Sequence, residues 1–250
     1  FRLKGGMLVG IRLGRLLRTT RDADMWGAGN PSQEAVVQRF NKARAVDLDD
    51  AVEYHGEPQT KRARAEEDGY NGVGVRMRCR VAGLPTTIKF DINFGDSVVP
   101  EGGVVVVEPP IPGASRFEML GYSDEALLAE KVETVSDFPP PVARVKDFWD
   151  IAALTRELSL GGAQLLESLS VVFAQRHTKP DPGVFDDLPS LLEDRHYRDE
   201  WRLFLERTGA MELPLSDAVA QADQFARPLL KALAERSEFA ATWDPSRGWA

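Results

Sequence analysis

Two segments constrain this chain more than any other feature. "VGVRMRCRVAGL" alternates strictly, with Val75, Met77, Cys79 and Val81 on one side and Arg76, Arg78 and Arg80 on the other. "TTIKFDINFGD" does the same, setting Ile88, Phe90, Ile92 and Phe94 against Thr87, Lys89, Asp91 and Asn93. Successive strand side chains point to opposite faces, so a period of two predicts half-buried strands, each with one apolar and one polar face. A third strand, expected to be more buried, is read at "GVVVVEPP".

Around these strands the pattern is helical. Phe1 to Lys4 reads as a short strand broken by Gly5-Gly6, and a helix fits Met7 to Leu17. "TTRDADMW" is a plausible strand. In "NPSQEAVVQRFNKARAVDL" the expected N-cap is Asn30, with Pro31 at the first helical position. "KRARAEEDGYNG" reads as a charged loop or hairpin. After the Pro/Gly-rich "EPPIPGASR" the chain turns mostly helical, with helices expected near Asp124–Ser136, Val145–Leu158, Gly162–Arg176, Leu188–Thr208 and Ser216–Ser237. The expected class is therefore α+β, a mixed α/β region over 1–115 followed by a mainly helical region over 116–250.

Composition narrows the chemistry. A net charge of −8 argues against a general nucleic-acid coat protein but leaves room for a local basic patch. The lone cysteine, Cys79, excludes an intramolecular disulfide framework and a cysteine-rich zinc site, and fits a reducing cytoplasm. It reads as a buried small hydrophobe. The longest nearly apolar run, "GGVVVVEPPIPG", is too short to span a bilayer, and no signal peptide is visible. The chain starts without Met inside a strand, so an upstream segment is expected. His55, His177 and His196 lack metal-ligand spacing and are expected to be structural or exposed.

The chemistry concentrates near the N-terminus. Phe1 to Arg21 holds six Lys or Arg and no acid, and then Asp22-Ala23-Asp24 follows. Residues i and i+2 of a strand point the same way, roughly 6.5–7 Å apart, so both carboxylates can serve one site. Hard divalent cations take oxygen ligands, and paired carboxylates with substrate phosphates are their usual cage in phosphoryl transfer. Asp91, on the strand face without the Ile/Phe set, is the candidate third carboxylate. Gly5 and Gly6 permit close backbone approach to a phosphate, and the following helix N-terminus favours an anion. The ordered set of Gly-Gly, helix, D-x-D strand and later lone Asp points to a nucleotidyltransferase. Each element taken singly also fits a tight turn or a solvated surface.

In the same order, these residues resemble a known family. "LKGGMLVGIRLGRLLRTTRDADM" is similar to the first motif of the AbiEii/AbiGii nucleotidyltransferase toxins, whose mycobacterial members are called MenT. "IKFDINFGDSVVP" resembles the third-carboxylate strand of that family, and "LLAEKVETV" and "RVKDFWDIAAL" its A-E-K and R-x-K-D-x-x-D segments. "FAQRHTKP", "FARPLL" and "WDPSRGW" share its look, so the similarity spans nearly the whole chain.

The resemblance implies a DNA-polymerase-β-like core, with a helical C-terminal domain that completes the active site. It further implies Asp22, Asp24 and Asp91 on Mg²⁺ or Mn²⁺, with Gly5, Gly6 and Thr20 near the phosphates of an NTP. Lys131 would pair with the triphosphate, and Asp147 would be a further required acid, placed to orient Lys131. Asp91 is the better guess for a base near the attacking hydroxyl. Without the family, Lys131 reads as part of a solvated helix face. "KDFWD" reads equally as a helix with Asp147 and Asp150 exposed and Phe148 and Trp149 in the core. Family members are toxins with cognate antitoxins, and the mycobacterial ones extend the 3′ end of tRNA. Arg12, Arg15 and Arg18, together with Arg76, Arg78 and Arg80, form a candidate RNA surface. Two alternatives remain beside RNA modification: transfer to a protein side chain, and a catalytically silent binding fold. The chain departs from the family at Met7, where Thr or Ser is usual after the second Gly, and at His177, where a smaller residue is expected.

Overall fold

The computed structural model describes residues 1–14, 20, 22–48, 50–62, 71–95, 97–109, 115–137, 144–186 and 192–250. The chain divides into two compact units, Phe1–Met7 with Thr20–Asp96, and Leu8–Thr19 with Ser97–Ala250.

The first unit is a mixed sheet backed by a helix. Its strands are β1 (Arg2–Lys4), β2 (Asp22–Gly27), β3 (Val52–Arg62), β4 (Asn71–Val81) and β5 (Leu84–Phe94), in the order β3-β4-β5-β2-β1. β2 and β5 run parallel, and the other neighbours are antiparallel. Alternation in β4 and β5 holds over most of their length, except that Asn93, expected on the polar face, is buried and Val81, expected on the apolar one, is exposed. Val73, Val75, Met77, Ile92 and Phe94 are buried against Val36 and Phe40 of α2 (Gln33–Arg44), while Arg76, Arg78, Arg80, Lys89 and Asp91 are exposed. Cys79 is buried, and burial pushes its thiol pKa up, as suits an inert side chain.

Several local expectations change. The helix after β1 begins at Gly5, not Met7, and α1 runs Gly5–Arg12. The α2 N-cap is Ser32, whose Oγ accepts from the Ala35 N–H at 3.2 Å. Asn30 instead accepts from the Ser32 N–H at 2.9 Å, an Asx turn that delays the helix past Pro31. β3 has no counterpart in the sequence reading. It carries Gly56 and Pro58, and among the described residues β4 alone pairs with it, so no apolar alternation betrays it. The centre of "KRARAEEDGYNG", residues 63–70, lies outside the described residues.

The second unit begins with the rest of α1, followed by β6 (Gly103–Val107) and β7 (Phe117–Gly121), an antiparallel pair. β6 is less buried than expected: Val105 is covered, but Val104 and Val106 are exposed. The helices that follow are α3 (Asp124–Asp137), α4 (Val145–Thr155), α5 (Gly162–Arg176), α6 (Arg195–Thr208) and α7 (Leu215–Glu235). The start expected for α6 at Leu188 falls on residues outside those described, and the described helix begins at Arg195. The C-terminal "WDPSRGW" forms two short strands, β9 (Thr242–Asp244) and β10 (Gly248–Trp249), which join β8 (Leu160–Gly161) in a small sheet.

His177 occupies the left-handed position that ends α5, with φ 57°. Glycine is the usual residue there, which accounts for the smaller residue expected. His55 and His196 are exposed. No helix among the described residues is long and apolar enough to cross a membrane.

Candidate active site

The polar face of the first unit's sheet is organised in rows. Strand register places Lys4, Asp24, Asp91, Gly74 and Lys61 side by side across β1, β2, β5, β4 and β3. One step along, Asp22, Lys89, Arg76 and Gln59 form the next row. The parity is fixed by the core: Ala23 and Met25 alternate with the two aspartates and point toward Phe90 and Ile92. The same hydrophobic pattern that folds the sheet therefore aims all three carboxylates to one side.

Asp24 and Asp91 are register partners on adjacent parallel strands, where neighbouring backbones lie about 4.8 Å apart. Asp22 stands opposite Lys89, with Nζ 3.8 Å from Oδ1. That oxygen is shielded from solvent and accepts no hydrogen bond from the described residues. Among the described residues, no three acidic, histidine or cysteine side chains converge closely enough to hold a metal as they stand. The donor set nevertheless suits a hard cation: three carboxylates share a face, and one of them carries an unsatisfied buried oxygen. Beside them lies a pocket of about 630 Å³ whose walls include Asp22, Asp91, Lys61, Arg62, Arg76 and Lys89.

Gly5 sits where only glycine fits. Its φ is +63°, and a Cβ there would fall 2.1 Å from Asp24 Oδ2. Gly5→Ala is expected to cost roughly 1–2 kcal/mol in backbone strain alone. It should also drive the Asp24 carboxylate out of place, cutting any reaction that depends on that carboxylate about a hundredfold or more. Initial rates compared with thermal melts check this, since the loss of rate should far exceed the loss of stability. Gly6 is the second residue of α1. Thr20 donates its hydroxyl to the Asp22 carbonyl at 3.2 Å, so here it braces the strand that bears the D-x-D pair.

A second polar cluster lies inside the second unit. Lys131 on α3 is buried, with Nζ 2.7 Å from Asp147 Oδ1 and 2.8 Å from Asp150 Oδ2 on α4. Burial by itself would lower the lysine pKa, but Asp150 and Asp147 outweigh it and raise the value above the ordinary one. The solvated-face alternative for Lys131, and the exposed one for Asp147 and Asp150, are thus replaced by a buried ionic cluster. Phe148, Trp149, Ile151 and Leu154 are core, as expected. Asp150 was the unassigned member. Its i,i+3 spacing from Asp147 puts both acids on one helix face, and it is also the last acid of the R-x-K-D-x-x-D segment; these two signals point to it. Two residues beyond Lys131, Glu133 is also buried. It accepts from Arg176 at 2.5 Å and from Thr178, tying α3 to the end of α5, and burial pushes its pKa up.

Of the arginines proposed for RNA, Arg76, Arg78 and Arg80 are exposed along β4. Arg12 is engaged within the second unit, 2.6 Å from Asp124 and donating to the Tyr122 carbonyl at 3.2 Å. Arg15 and Arg18 lie outside the described residues. The structure thus gathers Asp22, Asp24, Asp91 and Gly5 in one unit, and Lys131, Asp147 and Asp150 in the other.

Two solved Helicobacter pylori structures resemble the whole chain distantly. JHP933 is 16% identical, with 94% of this chain and 85% of that one covered at a TM-score of 0.46. A second protein, described as a candidate nucleotidyltransferase, is also 16% identical, covering 95% and 89% at a TM-score of 0.46. No curated protein sequence matches. The family described as nucleotidyl transferase AbiEii toxin, type IV toxin–antitoxin system, matches residues 1–227, and the chain belongs to that family of nucleotidyltransferases.

Proposed function

We propose that this protein transfers a nucleotide from an NTP to an RNA acceptor, the 3′ end of a tRNA, with Mg²⁺ or Mn²⁺ held by Asp22, Asp24 and Asp91. Membership in a type IV toxin–antitoxin family implies a nucleotide substrate and an antitoxin partner; we place the reaction in the cytoplasm. The observation that carries the reading is the register pairing of Asp24 with Asp91, on the same sheet face as Asp22. A fold has no structural need to line up like charges across neighbouring strands, where they repel.

A divalent cation bound by these carboxylates supplies charge neutralisation for the triphosphate and for the attacking oxygen. The protein's own residues do the rest. Asp91 takes the proton from the acceptor hydroxyl as its oxygen bonds to the α-phosphorus, and the bond to pyrophosphate breaks on the opposite side. Gly5 and Gly6 bring backbone N–H groups to the phosphates, with Thr20 beside them. Within the second unit, Asp147 and Asp150 hold the Lys131 ammonium group in place. Arg76, Arg78 and Arg80 supply an exposed row of cations for RNA phosphates.

The test is label transfer: wild type and Asp22→Ala with Mg²⁺, each α-labelled NTP in turn, and total RNA or total cell protein. Label in small RNA with wild type only supports the proposal and names the nucleotide. Label on protein moves the acceptor to a side chain. No label from a folded protein leaves a silent binding fold. RNA affinity that falls steeply with salt, less so for Arg76→Ala/Arg78→Ala, supports the basic row as the acceptor surface.

A further inference from the structure

We propose that Lys89 is the built-in counter-ion of the acidic site: it holds Asp22 while no divalent cation is bound, and must give up that carboxylate when one binds. Lys89 thereby sets the affinity of the substrate-free protein for the cation. The inference rests on the metal reading given above.

Four observations carry it. First, parallel register fixes the partners, setting Lys89 opposite Asp22 just as Asp91 is set opposite Asp24. The lysine is thus delivered to the D-x-D pair by the same strand that delivers the third carboxylate. Second, Nζ lies 3.8 Å from Asp22 Oδ1, within ion-pair range but beyond hydrogen-bond range. Third, Asp22 Oδ1 is shielded from solvent and accepts no hydrogen bond from the described residues, which leaves it open to a cation. Fourth, the two side chains are about equally exposed, 46% for Lys89 and 44% for Asp22, which leaves the lysine room to swing away.

The neighbours define where Lys89 can go. Arg76 is its register partner on β4, so like-charge repulsion biases the ammonium toward Asp22. An arriving divalent cation reverses that bias, because it competes for the same oxygen and repels the ammonium. The displaced lysine then faces the pocket it shares with Arg76, Lys61 and Arg62, where an anion would meet it. Lys89 is therefore a positioning residue, acting on the cation through Asp22. An exposed pair is weak, so the competition is modest and the lysine can leave without stranding a buried charge.

Mn²⁺ titration of the nucleotide-free full chain, followed by the electron paramagnetic resonance signal of free Mn²⁺, tests this. Lys89→Met is expected to tighten Mn²⁺ binding roughly two- to fivefold. Lys89→Arg, which keeps the charge, should bind like wild type, and Asp22→Asn should bind more weakly. Melting curves confirm that the exposed substitution leaves the fold intact. Affinity unchanged or weakened in Lys89→Met, with Asp22→Asn weakened as expected, overturns the role of Lys89 while leaving the metal site in place. Binding that Asp22→Asn does not alter, or no binding by wild type, overturns the metal reading and this inference together.

Discussion

Asp91→Asn is expected to lower nucleotide transfer by about a thousandfold while leaving the protein as stable as wild type, or slightly more so. The two halves of this expectation have one cause. Asp91 is exposed on the polar sheet face, so its side chain contributes no buried packing whose loss would matter. Its neighbours in the row are Asp24 on one strand and Gly74 on the other. Removing its charge relieves repulsion from Asp24, worth roughly 0.2–1 kcal/mol for a cross-strand pair. The same removal takes away a cation ligand and the proposed acceptor for the hydroxyl proton, neither of which the amide can replace. An ordinary surface aspartate would give neither effect. Label-transfer rates and urea midpoints for the same preparations decide it: a drop under about tenfold would remove Asp91 from the reaction.

How much of this was legible beforehand follows from which interactions are local. The face of β4 and β5 that carries Arg76, Lys89 and Asp91 could be read directly, because alternation is written into consecutive residues of each strand and the core enforces it. The D-x-D pair could be read for the same reason. Its alignment with Asp91 could not: the register between β2 and β5 pairs Ala23 with Phe90 and Met25 with Ile92, partners 67 positions apart in sequence. Lys89 escaped notice on the same ground, since its meaning comes from facing Asp22 and not from its own strand.

β3 was missed because an edge strand with Gly56 and Pro58 owes its form to pairing with β4 rather than to any pattern of its own. β6 shows the opposite error. Four consecutive valines suggest burial on both faces, yet only one face is covered. The expected and observed bounds of α5 coincide because they are local, with Gly161 and His177 as its caps. The ionic cluster around Lys131 defeats local reading altogether. A lysine in "LLAEKVETV" and two acids in "KDFWD" look solvated until α3 and α4 pack and enclose them.

That enclosure makes Lys131→Met the second large effect, and one in stability. The substitution leaves Asp147 and Asp150, 2% and 0% exposed, without their shared cation. Breaking a buried ion pair from one side typically destabilises by about 3–5 kcal/mol, because the remaining charge is stranded out of water. For a chain of this length each kcal/mol moves the melting temperature by roughly 2–4 °C, so a fall of about 10 °C is expected. Adding Asp150→Asn should recover part of it, since one stranded charge is then gone.

Alkaline titration separates this origin from simple loss of packing. The lysine pKa is raised in the folded protein above its unfolded value of about 10.4, so its contribution is fully present below that pH. It is lost as pH rises through the higher folded value. Wild type should therefore lose stability above about pH 10.4, while Lys131→Met, already lacking the interaction, should show a flatter curve there. Urea midpoints measured between about pH 8 and 11 give the comparison, and parallel curves for the two proteins would assign the loss to packing. Rates taken well below the lower melting temperature then report what Lys131 does for transfer itself, free of what it does for the fold.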